Sequence, residues 1–440
     1  MAAWRSLGIL VTLLGLASEG RSQTAALSET IRVGDCQRIQ LDMKLTGEMR
    51  LNQSGKIVPI KLEATAEHDY SERILSADSA GLPNKSARRY DKARAIIATN
   101  RDSSERTLRD QRRLVVAQRF KDQLLVYAPT GPLTREEQEL TSEHFDSLPL
   151  TGILPGKEVA IGDSWKIGNA VAQALCGFEG LTEQNLVGRL EEIKDGTARF
   201  NISGAATGID VGALVKLTID GTARFDLNAR RLIALEWKQQ DDRAQGPVSP
   251  AAVTQTTITL SRAVIDLPST LSDVALVAVP EGFEAPPGMS SLEWKDPKGR
   301  FAFVHAREWQ TSSQTDEHLV LRLMERGDFV AQATITPWTS AEKGKHQSPE
   351  EFQAAMDATP GWQSEKVLQS GEVPSDGGRW IYRISALGQL DSVNVLQNFY
   401  LVAGPDGEQV VIMFTMTPKQ AERLGTRDLA LAASMEFPGK

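Results

Sequence analysis

Between residues 38 and 70, apolar and polar side chains alternate with a period of two. Ile39, Leu41, Met43, Leu45, Gly47, Met49 and Leu51 take the odd positions. Asn52-Gln53-Ser54-Gly55 supplies turn chemistry. Ile60, Leu62, Ala64, Ala66, His68 and Tyr70 then take the even positions, between Lys61, Glu63, Thr65, Glu67 and Asp69. Alternation of that length predicts a long β-hairpin with one face buried and one wet. Shorter strands are expected at 88–98, 105–117 and 124–127. Thr134 and Glu137 form a capping-box pair after Pro132, and Leu140, His144 and Leu148 recur on one face until Pro149. This predicts a helix from Thr134. A second short helix is expected from Asn169 to Cys176, capped by Asn169.

An internal echo follows. Asp195-Gly196-Thr197-Ala198-Arg199-Phe200 returns as Asp220-Gly221-Thr222-Ala223-Arg224-Phe225. Asp-Gly between apolar strands is a hairpin signal, so each copy reads as a turn followed by a strand. Ile233, Leu235 and Trp237 continue the meander, and 254–264 closes it. Residues 266–291 hold Pro268, Pro280, Pro286, Pro287 and Gly288 with little periodicity, and read as a flexible linker. Beyond it, Leu319, Leu321 and Leu323 alternate before a Gly327-Asp328 turn. Ser348-Pro349-Glu350-Glu351 and Thr417-Pro418-Lys419-Gln420 both carry a cap, a first-turn proline and a capping-box partner. Residues 393–402 and 409–416 are apolar on both faces, as central strands under helices would be. The pattern predicts an α+β chain. Residues 1–22 form a signal peptide. Residues 23–265 form a β-rich domain, an antiparallel β-meander with short helices. Residues 266–291 are the proline-rich linker, and 292–440 form an antiparallel sheet with helices on its faces.

The first residues change the picture of location. Arg5 precedes an apolar run from Ser6 to Ala17, and the small residues Ser18, Gly20 and Ser22 follow. That order is a cleaved secretory signal, which implies an exported protein, periplasmic or extracellular, starting near Gln23 or Thr24. No later apolar run approaches the ~20 residues a membrane-spanning helix needs. The formal net charge of −8 argues against nucleic-acid binding. Export places Cys36 and Cys176 in an oxidising compartment, where a disulfide between them is one option and two free thiols the other.

From Lys85 to Lys121 there are twelve Lys or Arg and four Asp or Glu, so this stretch is +8 in a chain of −8. Arg106, Arg109, Arg112, Arg113 and Arg119 are the candidate residues of a patch facing an anionic surface. The competing reading makes them wet strand faces paired with acids across the sheet.

Two family resemblances rest on particular residues. Trp294-Lys295-Asp296-Pro297-Lys298-Gly299-Arg300-Phe301-Ala302-Phe303, then Trp309, the capped helix at Ser348 and Ala433-Ser434-Met435-Glu436-Phe437 resemble the PsbP-like fold. For residues 292–440 that resemblance implies an α/β/α sandwich on an antiparallel sheet, with binding or assembly roles. Leu154-Pro155-Gly156-Lys157-Glu158-Val159-Ala160-Ile161-Gly162-Asp163-Ser164-Trp165 is similar to a segment of uncharacterised secreted bacterial proteins with a lipoprotein-carrier-like half-barrel. This implies an apolar ligand sheltered by a curved sheet, without the lipid-accepting cysteine of an anchored member.

No catalytic, cofactor or metal site is expected. His68, His144, His305, His318 and His346 make no zinc-type pair. His68 reads as a satisfied core residue, and His305, His318 and His346 as edge or loop residues. Ser164 lacks a nucleophile-elbow pattern. The expectation is a non-enzymatic exported protein that binds a partner protein, another envelope protein among the candidates, or an apolar or lipidic ligand. The alternative is a hydrolase-type enzyme whose site forms only in the fold.

Overall fold

The computed structural model describes residues 23–53, 56–79, 81–100, 102–120, 123–142 and 145–438. The expected signal peptide at 1–22, turn residues Ser54 and Gly55, Arg101, Lys121 and His144 lie outside the described residues. In chain order the first strands are β1 (Thr24–Leu27), β2 (Cys36–Gln53), β3 (Lys56–Ala77), β4 (Pro83–Thr99), β5 (Asp102–Thr107), β6 (Leu114–Phe120), β7 (Gln123–Tyr127) and β8 (Leu133–Thr134). Helix α1 (Arg135–Ser142), a 3-10 helix over Leu148–Ile153, β9 (Lys157–Ala160), β10 (Ser164–Lys166) and α2 (Asn169–Leu175) follow. Then come β11 (Gly180–Gln184), β12 (Val187–Lys194), β13 (Thr197–Asp210), β14 (Ala213–Asp226), β15 (Arg231–Arg243) and β16 (Ala251–Val264).

A thirteen-stranded antiparallel sheet runs β10-β12-β13-β14-β15-β16-β2-β3-β4-β6-β7, with β11 and β5 attached beside β13 and β4. The β2–β3 hairpin forms with Leu41 opposite His68 and Met43 opposite Ala66. A slip of one residue would turn each of these apolar side chains to water. Side chains from Leu190 on β12 to Val126 on β7 share one hydrophobic cluster, so the open sheet curls around a common filling. The filling comes from α1, the 3-10 helix and α2, through Leu140, Phe145, Leu148, Leu150, Ile153, Val171 and Leu175. The Thr134–Glu137 capping box closes α1 as expected. Asn169 does not cap α2. Gly168 takes that position, and the Asn169 amide oxygen accepts from Gln184.

The two copies of the hexapeptide adopt different conformations. Asp195 and Gly196 both have positive φ and turn β12 into β13. Asp220 and Gly221 instead lie inside β14, and Gly221 sits opposite Trp237. A Cβ there would come 3.1 Å from the Glu236 carbonyl and 3.5 Å from the Trp237 ring. The second glycine therefore admits the close approach of the Glu236 carbonyl on the neighbouring strand rather than making a turn.

The C-terminal part has β17 (Leu292–Lys295), β18 (Ala302–His305), β19 (Trp309–Gln314), β20 (Leu319–Glu325), β21 (Asp328–Trp338), β22 (Trp362–Val373), β23 (Trp380–Leu390), β24 (Val393–Ala403) and β25 (Gln409–Met416). Its helices are α3 (Pro287–Ser290), α4 (Pro349–Asp357), α5 (Pro418–Leu424) and α6 (Arg427–Ala433). Seven strands form an antiparallel sheet in the order β19-β20-β21-β25-β24-β23-β22. Capping boxes at Ser348 and Thr417 start α4 and α5. The expected α+β class is overturned. Strand accounts for 56% and helix for 13% of the structure, which is a mostly-β fold. The correct helix signals belong to helices of seven to nine residues, too short to build helical layers over a seven-stranded sheet.

Residues 266–291 lie along the outside of β3 and β4. Leu271 and Leu276 pack on Ala87. Lys85 donates to the carbonyls of Pro280 and Gly282, Arg73 to that of Leu271, and Gln118 to that of Phe283. β17 then pairs in parallel with β8, and Arg135 donates to the carbonyls of Arg307 and Trp309 at 2.7 and 2.8 Å. At a second junction, the β13–β14 turn meets the β20–β21 turn. A Cβ on Gly212 would lie 2.6 Å from the Gly327 carbonyl. Beside it Val211 is held at φ 45°, where a β-branched residue is strained. Val211→Asn is expected to raise the unfolding free energy by about 1 kcal/mol, since the left-handed region costs an ordinary L-residue roughly 1–2 kcal/mol. Urea denaturation measures it, and a loss of stability would contradict a left-handed turn.

Candidate functional site

A buried charged network crosses the interior of the large sheet. Arg88 on β4 and Glu72 on β3 are 2% and 1% exposed. Arg88 Nε donates to Glu72 Oε1 at 2.9 Å, and Arg88 Nη2 to Ser147 Oγ at 3.1 Å, with Asp146 Oδ1 at 3.7 Å. Ser86 and Gln37 also donate to Glu72, at 2.9 and 2.5 Å. Arg262 extends the chain, bridging Gln37 at 3.0 Å to Glu29 at 2.9 Å. Burial opposes ionisation of Glu72, but Arg88, Gln37 and Ser86 outweigh it and hold the carboxyl below its ordinary range. Burial pushes the phenols of Tyr70 and Tyr90, beside Arg88, above theirs.

A void of about 20 Å³ adjoins this network, lined by His68, Tyr70, Arg88, Tyr90, Leu140 and Phe145 among others. It has room for one or two water molecules. His68 is buried as expected, its Nε2 2.8 Å from the Leu140 carbonyl, and burial lowers its pKa. A shallower depression of about 190 Å³ lies between Tyr90, Lys92, Arg94, Thr107, Leu108 and Arg113. Its cations are paired with Glu67, Glu105 and Asp110.

The five candidate arginines are all engaged within the chain. Arg106 pairs with Glu139 on α1, and Arg119 with Asp146 at 2.7 Å. Arg109 grips Glu137 at 2.6 and 2.7 Å and Glu293 on β17 at 2.8 Å. Arg112 donates to the carbonyls of Pro132 and Thr130, and Arg113 pairs with Asp110 at 2.7 Å. Each of the five thus has a partner within the chain, while Arg113 keeps 36% of its side chain exposed. Glu137 both closes the α1 capping box and holds Arg109.

Cys36 and Cys176 are free thiols. Cys176 lies near enough to Asp241 for that carboxylate, after burial, to raise its pKa to about 12. Asp241 sits opposite Thr254, and Thr254 opposite Gly47. Cys36 opens β2, about 35 Å along the strand from Gly47 at the usual rise. A disulfide needs Cα atoms within ~7 Å. The sheet's geometry therefore overturns the disulfide option.

His305, expected at an edge or loop, is buried on β18. His318 bonds Thr315, and His346 stacks on Trp380 with centroids 3.5 Å apart. Among the described residues no three His, Cys, Asp or Glu side chains gather as a metal site, and no helix is long and apolar enough to cross a membrane.

One feature departs from the expected hairpin. The inner-face residues Ile39, Leu41, Met43 and Ala66 belong to the core cluster and Leu45 packs against it, but Met49, Leu51, Val58, Ile60, Leu62 and Ala64 join no hydrophobic cluster. All six are partly exposed. The hairpin is longer than its filling: β2 and β3 have 18 and 22 residues, against 14 in neighbouring β16. Strand length is the signal in the sequence that pointed here.

No family model matches the chain, and no curated protein matches it. Among solved structures, the Ran-binding protein Mog1p of Saccharomyces cerevisiae is similar over 33% of this chain and 95% of its own, at 12% identity and TM-score 0.27. The PsbP protein (CyanoP) of Synechocystis sp. PCC 6803 is similar over 36% of this chain and 98% of its own, at 12% identity and TM-score 0.25. A lipovitellin structure is similar over 54% of this chain and 26% of its own, at 7% identity and TM-score 0.30. At these scores none of them says what this chain does. The PsbP-like resemblance stands as a weak, partial structural likeness.

Two outcomes follow from the buried charges. Arg88→Met is expected to cost about 3–5 kcal/mol, because Glu72 would stay buried without its cation while Asp146 kept only Arg119. Urea unfolding at pH 7 checks it, and a loss below 1 kcal/mol would mean that water compensates them. Burial also pushes the His305 imidazole down to about 4, and Arg135 and Arg307 add like charge. The unfolded chain then binds the extra proton first. Stability is expected to fall by about 3 kcal/mol as pH drops from ~6.5 to ~4, and to level off below. His305→Gln should flatten that part of the denaturation profile relative to wild type. An unchanged slope would refute the assignment.

Proposed function

We propose that this is a non-enzymatic protein, exported from the cytoplasm, that binds an apolar partner through the far half of the β2–β3 hairpin. The observation that carries this reading is the inner face of Met49, Leu51, Val58, Ile60 and Leu62, partly exposed and outside every hydrophobic cluster. Contiguous exposed apolar surface on a protein with a filled core marks an interaction site more often than a packing accident. Binding inside the large sheet is disfavoured because helices and aromatic side chains occupy that space. The charged secretory-type N-terminus supports export.

The test uses Nile red, an uncharged apolar dye. Wild-type protein should enhance its emission, and Ile60→Asp/Leu62→Asp should reduce that enhancement at least fivefold without changing the far-UV circular dichroism. Equal enhancement by wild type and variant would refute the reading.

A further inference from the structure

We propose that the partner of this hairpin is an anionic lipid surface, entered by the end of the hairpin that carries Leu51, Ile57 and Val58. This rests on the apolar-face reading above. The distinguishing feature is the distal end. Leu51 and Val58 are register partners on the inner face, whereas Ile57, on the opposite face, is 69% exposed, and Pro59 beside it is exposed. At this end of the hairpin the outer face of β3 thus also presents apolar side chains, opposite Arg50 and Asn52 of β2. A protein packed on one face of a sheet would leave Ile57 in water. A medium that surrounds the tip covers both faces, and the acyl boundary of a bilayer is such a medium.

Charge points the same way. Between Lys44 and Thr65 there are four cations, Lys44, Arg50, Lys56 and Lys61, and two carboxylates, Glu48 and Glu63, in a chain of net −8. Both carboxylates are taken by neighbours on their own strands, Glu48 by Arg50 at 3.4 Å and Glu63 by Lys61 at 2.5 Å. Among the described residues Lys44 and Lys56 have no ion-pair partner. Arg50 and Lys56 flank the tip on the two strands, where long side chains can reach headgroups while the apolar residues beside them go deeper.

Size disfavours a protein occupant. From Leu45 to Leu51 the strip is about 20 Å long, and the three strand spacings from β16 to β4 make it about 14 Å wide. The resulting ~300 Å² is less than half of what each side of a stable protein complex usually buries, about 800 Å². A fluid lipid surface needs no matching shape.

Vesicle flotation tests the proposal on the mature full-length chain. Vesicles of phosphatidylglycerol with phosphatidylcholine should float at least tenfold more protein than phosphatidylcholine alone, and binding should weaken with salt. Ile57→Asp/Val58→Asp should abolish flotation, and Lys44→Gln/Lys56→Gln should reduce it several-fold. Absence of wild-type binding to the anionic vesicles, or binding that survives Ile57→Asp/Val58→Asp, overturns the lipid proposal. If Nile red enhancement still depends on Ile60 and Leu62 in that case, the apolar-face reading stands and only the lipid occupant is lost. If it does not, the apolar-face reading itself fails.

Discussion

A guanidinium removed from water must be surrounded by acceptors, and in this protein that requirement organises the interior. Arg88 is satisfied only when Glu72 of β3 and the Asp146-Ser147 turn both stand within reach. The neighbouring strands are already in register, so the demand falls on the turn. Holding Asp146 and Ser147 against the sheet carries the chain directly into the 3-10 helix at Leu148–Ile153. Its side chains, with those of α1, occupy the concave side. A sheet of this curvature without that anchor would have space for a ligand. With it, the void beside Arg88 is the size of a water molecule or two.

The same logic couples the two parts of the chain. Glu137 is buried, and its carboxylate serves the backbone of Thr134 and the guanidinium of Arg109 together. Arg109 has a donor left for Glu293 on β17, and β17 extends the short β8 strand that precedes α1. The cap that starts one helix is thereby tied to the first strand of the C-terminal part. Arg106, Arg109, Arg112, Arg113 and Arg119, from a run of cations in the sequence, are engaged in contacts of this kind. The hairpin that outruns its own core leaves Met49, Leu51, Val58, Ile60 and Leu62 partly exposed and outside the hydrophobic clusters.

Local signals were legible wherever local chemistry decided the outcome. Period-two alternation set the β2–β3 register, since the faces are distinguished by burial alone. Serine or threonine caps with glutamate or glutamine three residues on placed α1, α4 and α5. The limits are equally physical. Asp-Gly-Thr-Ala-Arg-Phe occurs twice, and only one copy turns, because the other lies mid-strand, its glycine close to the Glu236 carbonyl of a strand it meets through pairing. Helix starts did not disclose helix lengths, so a few short helices were read as layers, and the class came out as α+β rather than mostly β.

The sequence by itself determined which residues alternate, where helices begin, and that the hairpin has an apolar and a charged face. These properties depend on near neighbours and on the periodicity of the backbone. The tertiary structure alone decided that Cys36 and Cys176 lie too far apart to bridge, that Arg88 is buried and Arg109 clamped, and that the hairpin's apolar face is covered for only half its length. Each of these depends on which distant segments meet. A carboxylate two strands away, or a helix that stops short, leaves no mark in the residues it affects.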